Sequence, residues 1–288
     1  MSYAIYLATI FCIYAIAGVS LNLVVGYAGL LSITHAAFFG IGAYATAILA
    51  TKFGADFFLA VLVGIGITAA ISWCAGIIMS RLGGDYYVLG TVSFNYVVIN
   101  IMVNWDGLTN GPLGIPGIPK PSLFGFSFSS NILFLVLSVL FLAAVYAVSY
   151  WITTSSFGRV IKAIREDEEA VRVFGYRTIS YKLAIFMISA AMAALAGGLF
   201  ASFITFIDPT SFNVMESVFM LAIVIVGGFG NIKGSLIGAF LLVLIPELLR
   251  FVGFSADIAA YMRQAVYGLA LVLFMLYRPK GLIGEYKL

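Results

Sequence analysis

His35 is the only histidine in the chain, and that removes several chemistries at once. A metal site built on several imidazoles cannot form. The sequence offers no plausible nucleophile paired with a histidine, so nucleophilic catalysis is not expected. The phosphate-cradling pattern G-x-x-x-x-G-K-[ST] is also missing. Gly227 to Ser235 is glycine-rich and holds Lys233, but at a different spacing. The expectation is a chain that is not an enzyme, takes no cofactor or metal, and does not hydrolyse ATP by that route. Cys12 and Cys74 lie in apolar runs and read as small buried hydrophobes. Glu216 and Glu247 fall near the ends of apolar segments. Glu247 with Arg250, one helical turn on, reads as a structural ion pair. Proton-coupled carriers place Asp, Glu or His along their path. This chain has few, so energy for transport is expected from another subunit.

The charged stretch 152–182 is the most informative. It carries Arg159, Lys162, Arg165, Arg172, Arg177 and Lys182 against Glu166, Asp167, Glu168 and Glu169. Within it, Asp167 can cap a helix by accepting bonds from free backbone N–H groups. Glu168 and Glu169 then sit at the positive end of the helix dipole, with Arg172 toward the other end. Gly175 suits the left-handed position just past a helix. The result is a short helix with both ends specified, on which Val171 and Phe174 are expected to share a face. It reads either as a solvated loop helix or as a plug for a partner's groove. The cost of exposing Phe174 to water favours the partner.

Composition sets the elements that must hold these residues. Of 288 residues, 63% are hydrophobic and 9% charged, and mean hydropathy is +1.12. A soluble domain carries roughly 25% charged residues, so this chain must face lipid. A net charge of +3 is too small to suggest nucleic acid. A membrane helix needs about 20 mostly apolar residues. Candidate segments are 3–25, 28–50, 57–80, 86–105, 131–151, 183–207, 215–230, 234–252 and 263–278. The expectation is an all-α, polytopic bundle of about eight spans, a single transmembrane domain over 1–288 with loop 152–182 inside it. Met1 to Val25 has no Lys or Arg before its apolar run and reads as a retained span, not a cleaved signal.

Lys and Arg concentrate on the cytoplasmic side of membrane proteins. That places 152–182, Arg81, Lys233 and the tail with Arg278, Lys280 and Lys287 inside. Loops 51–56, 106–130, 208–214 and 253–262 fall outside. Loop 106–130, with Gly111-Pro112-Leu113-Gly114-Ile115-Pro116-Gly117-Ile118-Pro119, reads as structured. If 3–25 and 28–50 both cross, the N-terminus is outside. If 28–50 is broken or re-entrant, it is inside. Gly26, Gly29, Gly40 and Gly42, with Ser32, Thr34 and His35, favour broken backbone across 26–42, which membranes tolerate where it is buried or lines a cavity. A weak internal echo links Val25-Gly26-Tyr27-Ala28-Gly29, ending at Gly42-Ala43, with Val226-Gly227-Gly228-Phe229-Gly230, ending at Gly238-Ala239. It is either an inverted repeat framing a path or chance recurrence of glycine packing.

Glu169-Ala170 followed by Gly175 resembles the cytoplasmic EAA loop of ABC importer permeases. The run Phe157-Gly158-Arg159 through Ala163-Ile164-Arg165-Glu166-Asp167-Glu168 is similar to permeases of branched-chain amino-acid ABC importers, the LivM type. So are Leu23 to Ser32 leading to His35-Ala36-Ala37-Phe38, Gly83 to Tyr87, and Thr109-Asn110-Gly111 with Ile115-Pro116. Val226 to Asn231 and Pro246 to Arg250 match as well. The likeness runs from about residue 20 to the C-terminus. It departs at Val171, where many permeases have the second Ala, and in lacking the Leu-Pro that often closes the loop.

The resemblance implies an ABC importer permease fold in a bacterial or archaeal cytoplasmic (inner) membrane, multi-pass, with a cytoplasmic C-terminus. It implies a second, homologous permease subunit, two ATPase subunits, an external substrate-binding protein and a lipid surround. Asp167 to Gly175 would be the coupling helix. Arg165, Glu169 and Phe174 would contribute most at the ATPase, within a segment that also holds Glu166, Asp167, Ala170 and Gly175. For the path, the candidates are polar groups in otherwise apolar helices: Asn22, Ser32, Thr34, His35, Thr91, Ser93 and Asn95. Each is also explained by an interhelical hydrogen bond, worth about 0.6 kcal/mol. A path without fixed charge suits a zwitterion or neutral solute, with branched-chain amino acids the default. The competing readings are an ATP-independent channel or carrier for a neutral solute such as urea, and a membrane subunit with no path.

Overall fold

The computed structural model describes residues 2–123, 126–128, 130–251, 256–278, 280–284 and 286. Helix α1 (Ser2–Asn22) runs into a π turn over Leu23–Tyr27, and the chain then leaves helical geometry until α2 (His35–Lys52). Next come α3 (Phe57–Met79), α4 (Asp85–Asn104), the single turn α5 (Asp106–Thr109), and strands β1 (Ile115–Pro116), β2 (Ser122–Leu123) and β3 (Phe126–Ser127). Then follow α6 (Asn131–Thr154), α7 (Ser156–Glu166), α8 (Glu168–Val173), α9 (Thr178–Ile204) and β4 (Phe206–Ile207). The described chain closes with α10 (Val214–Gly227), α11 (Ile232–Phe251), α12 (Ala256–Tyr277) and a turn through Gly281. β1 pairs antiparallel with β4, and β2 with β3. Helices dominate because lipid offers no partner for exposed N–H and C=O groups.

The centre is α2 laid against α9. Gly197 on α9 faces the Phe39 carbonyl, and Gly42 on α2 faces the backbone of Ala194, so a Cβ at either would meet main chain. Small residues let membrane helices approach this closely. Phe39 adds rings, with centroids 5.3 Å from Phe200 and 5.8 Å from Phe212.

The two ends of the bundle differ. At one, Lys52 donates to the carbonyls of Gly107 (2.8 Å) and Leu108 (2.9 Å), and β1 joins β4. The Tyr6 ring lies 5.3 Å from Phe203 there, so the N-terminus shares this end. At the other end lie α7, α8 and the tail, with Arg159, Lys162, Arg165, Arg172, Arg177 and Lys182. Lys233 shares a recess with Tyr27 and Lys162, and Lys182 shares one with Ser80 and Leu82.

Several expectations change. By length and apolarity, five helices among the described residues can cross a membrane, or six if α10 and the first part of α11, bent by 120°, count as one span; about eight is an overcount. Two features account for most of the difference: 28–50 opens inside the bundle, and Val214–Gly227 with Ile232–Ile245 folds on itself. The break lies at 28–34 and not across 26–42: helix α2 is regular from His35, and Gly40 and Gly42 serve contacts with Phe212 and Ala194. Interruption does not put the N-terminus with α7: α1 runs from the Lys52 end to the α7 end, and the break together with α2 brings the chain back to the Lys52 end. Cys12 is buried, but Cys74 is exposed beside Trp73 on the outer face of α3. The side chains of Glu247 and Arg250, and residue Lys287, lie outside the described residues.

Candidate functional site

The break at 28–34 ends deep in the bundle. His35 opens α2 beside Ser189, near the middle of α9, with its Nε2 3.0 Å from Ser189 Oγ. Ser189 in turn donates to the Ser20 carbonyl of α1. Free N–H groups at this helix start find hydroxyls from other elements. Thr91 of α4 accepts from the Ile33 N–H (3.1 Å), and Ser217 of α10 accepts from the Ala36 N–H (2.9 Å). Ser32 and Thr34 hydroxyls bond each other at 2.8 Å. Asn95 reaches Ser217 with its amide nitrogen at 3.4 Å. The helix start is thus a polar node inside an apolar bundle, built by α2, α4, α9 and α10. Two buried acceptor-capable atoms at the node, His35 Nδ1 and Asn95 Oδ1, have no hydrogen-bond partner among the described residues.

Asn22 builds a second node. Its Nδ2 donates to Ser235 Oγ (2.7 Å) and to the Asn231 carbonyl (2.9 Å), and its Oδ1 accepts from the Gly230 N–H (3.1 Å). It therefore holds the end of α1 to the bend between α10 and α11. The two echoed glycine segments meet here.

Of the seven path candidates, Ser32, Thr34, His35, Thr91 and Asn95 come together, and Asn22 belongs to the second node. Ser93 does not join: it points outward from α4 and bonds its own helix at the Leu89 carbonyl. It lies two residues from both Thr91 and Asn95, so helical geometry turns it away from the face they share. Ser189 and Ser217 were missed. Each is a single serine in an apolar helix, and nothing local marks its partner.

At the cationic end, Asp167 caps α8 by accepting from the Ala170 N–H at 2.9 Å. Gly175 follows at φ +86, a left-handed conformation that glycine adopts at no steric cost. Glu166, Asp167, Glu169, Phe174 and Gly175 are exposed, and Ala170 is half-buried. Phe174 is 82% exposed and its neighbour Val173 85%, while Val171 is 8% exposed. The apolar edge is therefore Val173–Phe174, because Val171 turns toward α7. Val171 and Phe174 nonetheless line one cleft of about 570 Å³ between α7 and α8.

Glu168 fixes this segment to α9. It accepts from Thr178 (2.9 Å) and Arg172 (3.1 Å) and pairs with Lys182. Burial works against its charge, but the Lys182 and Thr178 hydrogen bonds and the charges of Lys182 and Arg172 outweigh it, holding the carboxyl below the usual carboxylate range. Arg165, expected to contribute at an ATPase, is held by the permease itself. It is half-buried, donates to the Gly26 carbonyl, and stacks 4.0 Å over the Tyr286 ring. Among the described residues, no cluster of His, Cys, Asp or Glu could hold a metal.

The family model described as branched-chain amino acid transport system / permease component matches residues 3–275. The chain is 36% identical to the high-affinity branched-chain amino acid transport system permease protein LivM of Escherichia coli K12, over 96% of this chain and 69% of that protein. It is 27% identical to the permease protein LivH of the same organism and transport system, over 94% and 91%. Its fold is similar to that of PsaBC from Streptococcus pneumoniae in complex with Fab, with a TM-score of 0.51 over 96% of this chain and 92% of that one. At 17% identity that likeness concerns the fold alone.

Proposed function

The chain belongs to the family of branched-chain amino-acid transport permeases, a multi-pass membrane protein, and from that premise we propose that it forms half of the translocation path of an ATP-driven importer. A second, homologous permease supplies the other half. Two ATPase subunits sit at the cationic end and carry out ATP hydrolysis, and a binding protein delivers solute at the opposite end. The concentration of Lys and Arg around α7, α8 and Lys233 supports a cytoplasmic position for that end and for the C-terminus.

The observation that carries this reading is the pair Val173–Phe174, exposed on a helix whose two ends are both fixed. An exposed apolar edge at the end of a membrane bundle calls for a protein cover. Glu166, Glu169 and Ala170 flank it and would complete the contact. A self-sufficient channel has no use for such a helix.

For the path, the start of α2 supports a zwitterionic solute. A helix N-terminus at membrane depth favours a carboxylate. Asn95 Oδ1 offers an acceptor to an ammonium group nearby. Thr91 and Ser217 cap that helix start here and would yield it when α4 and α10 move. Branched-chain amino acids are the proposed cargo.

Co-purification with the candidate ATPases tests the docking. Phe174→Asp should abolish it while shifting permease stability by less than about 0.5 kcal/mol, as for other exposed positions. ATPase retention unchanged by both Phe174→Asp and Val173→Asp contradicts the reading.

A further inference from the structure

The residue that links α8 to the broken backbone is Arg165. Asp167 is at once the C-cap of α7 and the N-cap of α8, so the two helices meet at one corner and displacement of α8 carries the end of α7 with it. Arg165 sits two residues before that corner, and its side chain points into the bundle and not toward the α8 surface.

Its partners belong to both interruptions. In a continuing helix the Gly26 carbonyl would accept from the Leu30 N–H. Here that N–H goes to the Val24 carbonyl at 3.1 Å, and Arg165 Nη1 takes the Gly26 carbonyl instead. The stem of Arg165 fills the space where Gly29, at φ +70, has no side chain: a Cβ there would lie 2.8 Å from Arg165 Cγ. Lys162, one turn earlier on α7, lies 5.3 Å over the Tyr27 ring. The guanidinium face rests on Tyr286. That tail segment crosses the second interruption, with the Leu282 and Ile283 N–H groups donating to the carbonyls of Val226 (3.0 Å) and Gly227 (3.1 Å). Tyr286 also packs on Gly230, which Asn22 holds.

We propose that Arg165 is a positioning residue that transmits movement of α8 to both helix interruptions, through the Gly26 carbonyl on one side and the Tyr286 ring on the other. The polar node at Ser32, Thr34 and His35 lies at the far end of the same break, so a pull at Gly26 acts on the path. This inference rests on the importer reading above. It adds that Arg165 serves coupling and not attachment: α8 docks the ATPase, and Arg165 makes docking matter to the path. Lysine cannot replace it, because an ammonium lacks the planar fork that bonds a carbonyl and stacks on a ring at the same time.

The test uses the complete transporter in proteoliposomes, with ATP hydrolysis and leucine uptake measured on the same sample. Arg165→Lys and Arg165→Gln should keep assembly and hydrolysis while solute moved per ATP falls about tenfold, within the roughly 5–150-fold range of allosteric coupling. Tyr286→Leu, which leaves the Gly26 bond, should lower the same ratio by a smaller factor, and it serves if an Arg165 variant does not assemble. A wild-type ratio in these variants overturns the inference while the importer reading stands. Uptake and hydrolysis falling in proportion also overturns it, since that is the mark of lost docking. If the unaltered chain neither assembles with ATPases nor supports ATP-driven uptake, both readings fall.

Discussion

Asn22 and Gly230 are joined across the bundle, the Gly230 N–H donating to the Asn22 side-chain oxygen at 3.1 Å. Because the same side chain also reaches Ser235 and Asn231, one buried amide ties the end of α1 to the bend between α10 and α11. Asn22→Leu keeps the branching and the number of heavy atoms but strands the Gly230 N–H and the Ser235 hydroxyl. A buried group left unsatisfied costs about 1–3 kcal/mol. Thermal unfolding in detergent should show a loss of about 2 kcal/mol. Ser235→Ala, which removes a single partner, should cost closer to the ~0.6 kcal/mol average for membrane hydrogen bonds.

Gly197 faces the Phe39 carbonyl without room for a methyl group. Gly197→Val should therefore separate α2 from α9 and destabilise the fold by several kcal/mol, on the order of 3 or more, as overpacking against main chain does. Gly66, around which a Cβ would meet nothing within 4 Å, should accept Ala without loss. Comparing folded yield of the two variants in detergent checks this contrast.

The Glu168 carboxyl is held below its usual range by Lys182, Thr178 and Arg172. A depressed folded-state value means that the stabilisation is present above the ordinary glutamate pKa and disappears as pH falls through the folded value. Hydrogen exchange across 168–182 should therefore accelerate as pH drops below the ordinary glutamate range, once the intrinsic pH dependence of exchange is removed. In Glu168→Gln the segment should exchange fast throughout, with that acid-dependent step gone.

Thr91 and Ser217 each occupy an N–H group at the start of α2. Thr91→Val and Ser217→Ala should each lower solute uptake several-fold while leaving ATPase binding intact, since neither residue lies near α8. Uptake assays run beside co-purification separate the two effects.

Much of this was legible from sequence where the signal is local. The ends of the α8 helix follow from Asp167 and Gly175, because capping acts within a few residues. The apolar segments follow from length and composition. What failed was long-range. Arg165 reads from sequence as part of an ATPase contact, and only the fold-back of α7 sets it on Gly26. Val171 and Phe174 are one turn apart, yet α7 covers only Val171. The start of α2 could be suspected from its glycines, but its place beside Ser189, Thr91 and Ser217 depends on contacts between residues far apart in the chain. Gly40 and Gly42 misled for a related reason: glycine serves close packing as readily as it breaks a helix.

The most direct measurement of the central claim is uptake of labelled leucine by proteoliposomes holding this chain, its homologous permease partner and the ATPases, with binding protein added outside. Uptake should require both ATP and the binding protein and be lost with Phe174→Asp. Uptake at the same rate without ATP would contradict that claim.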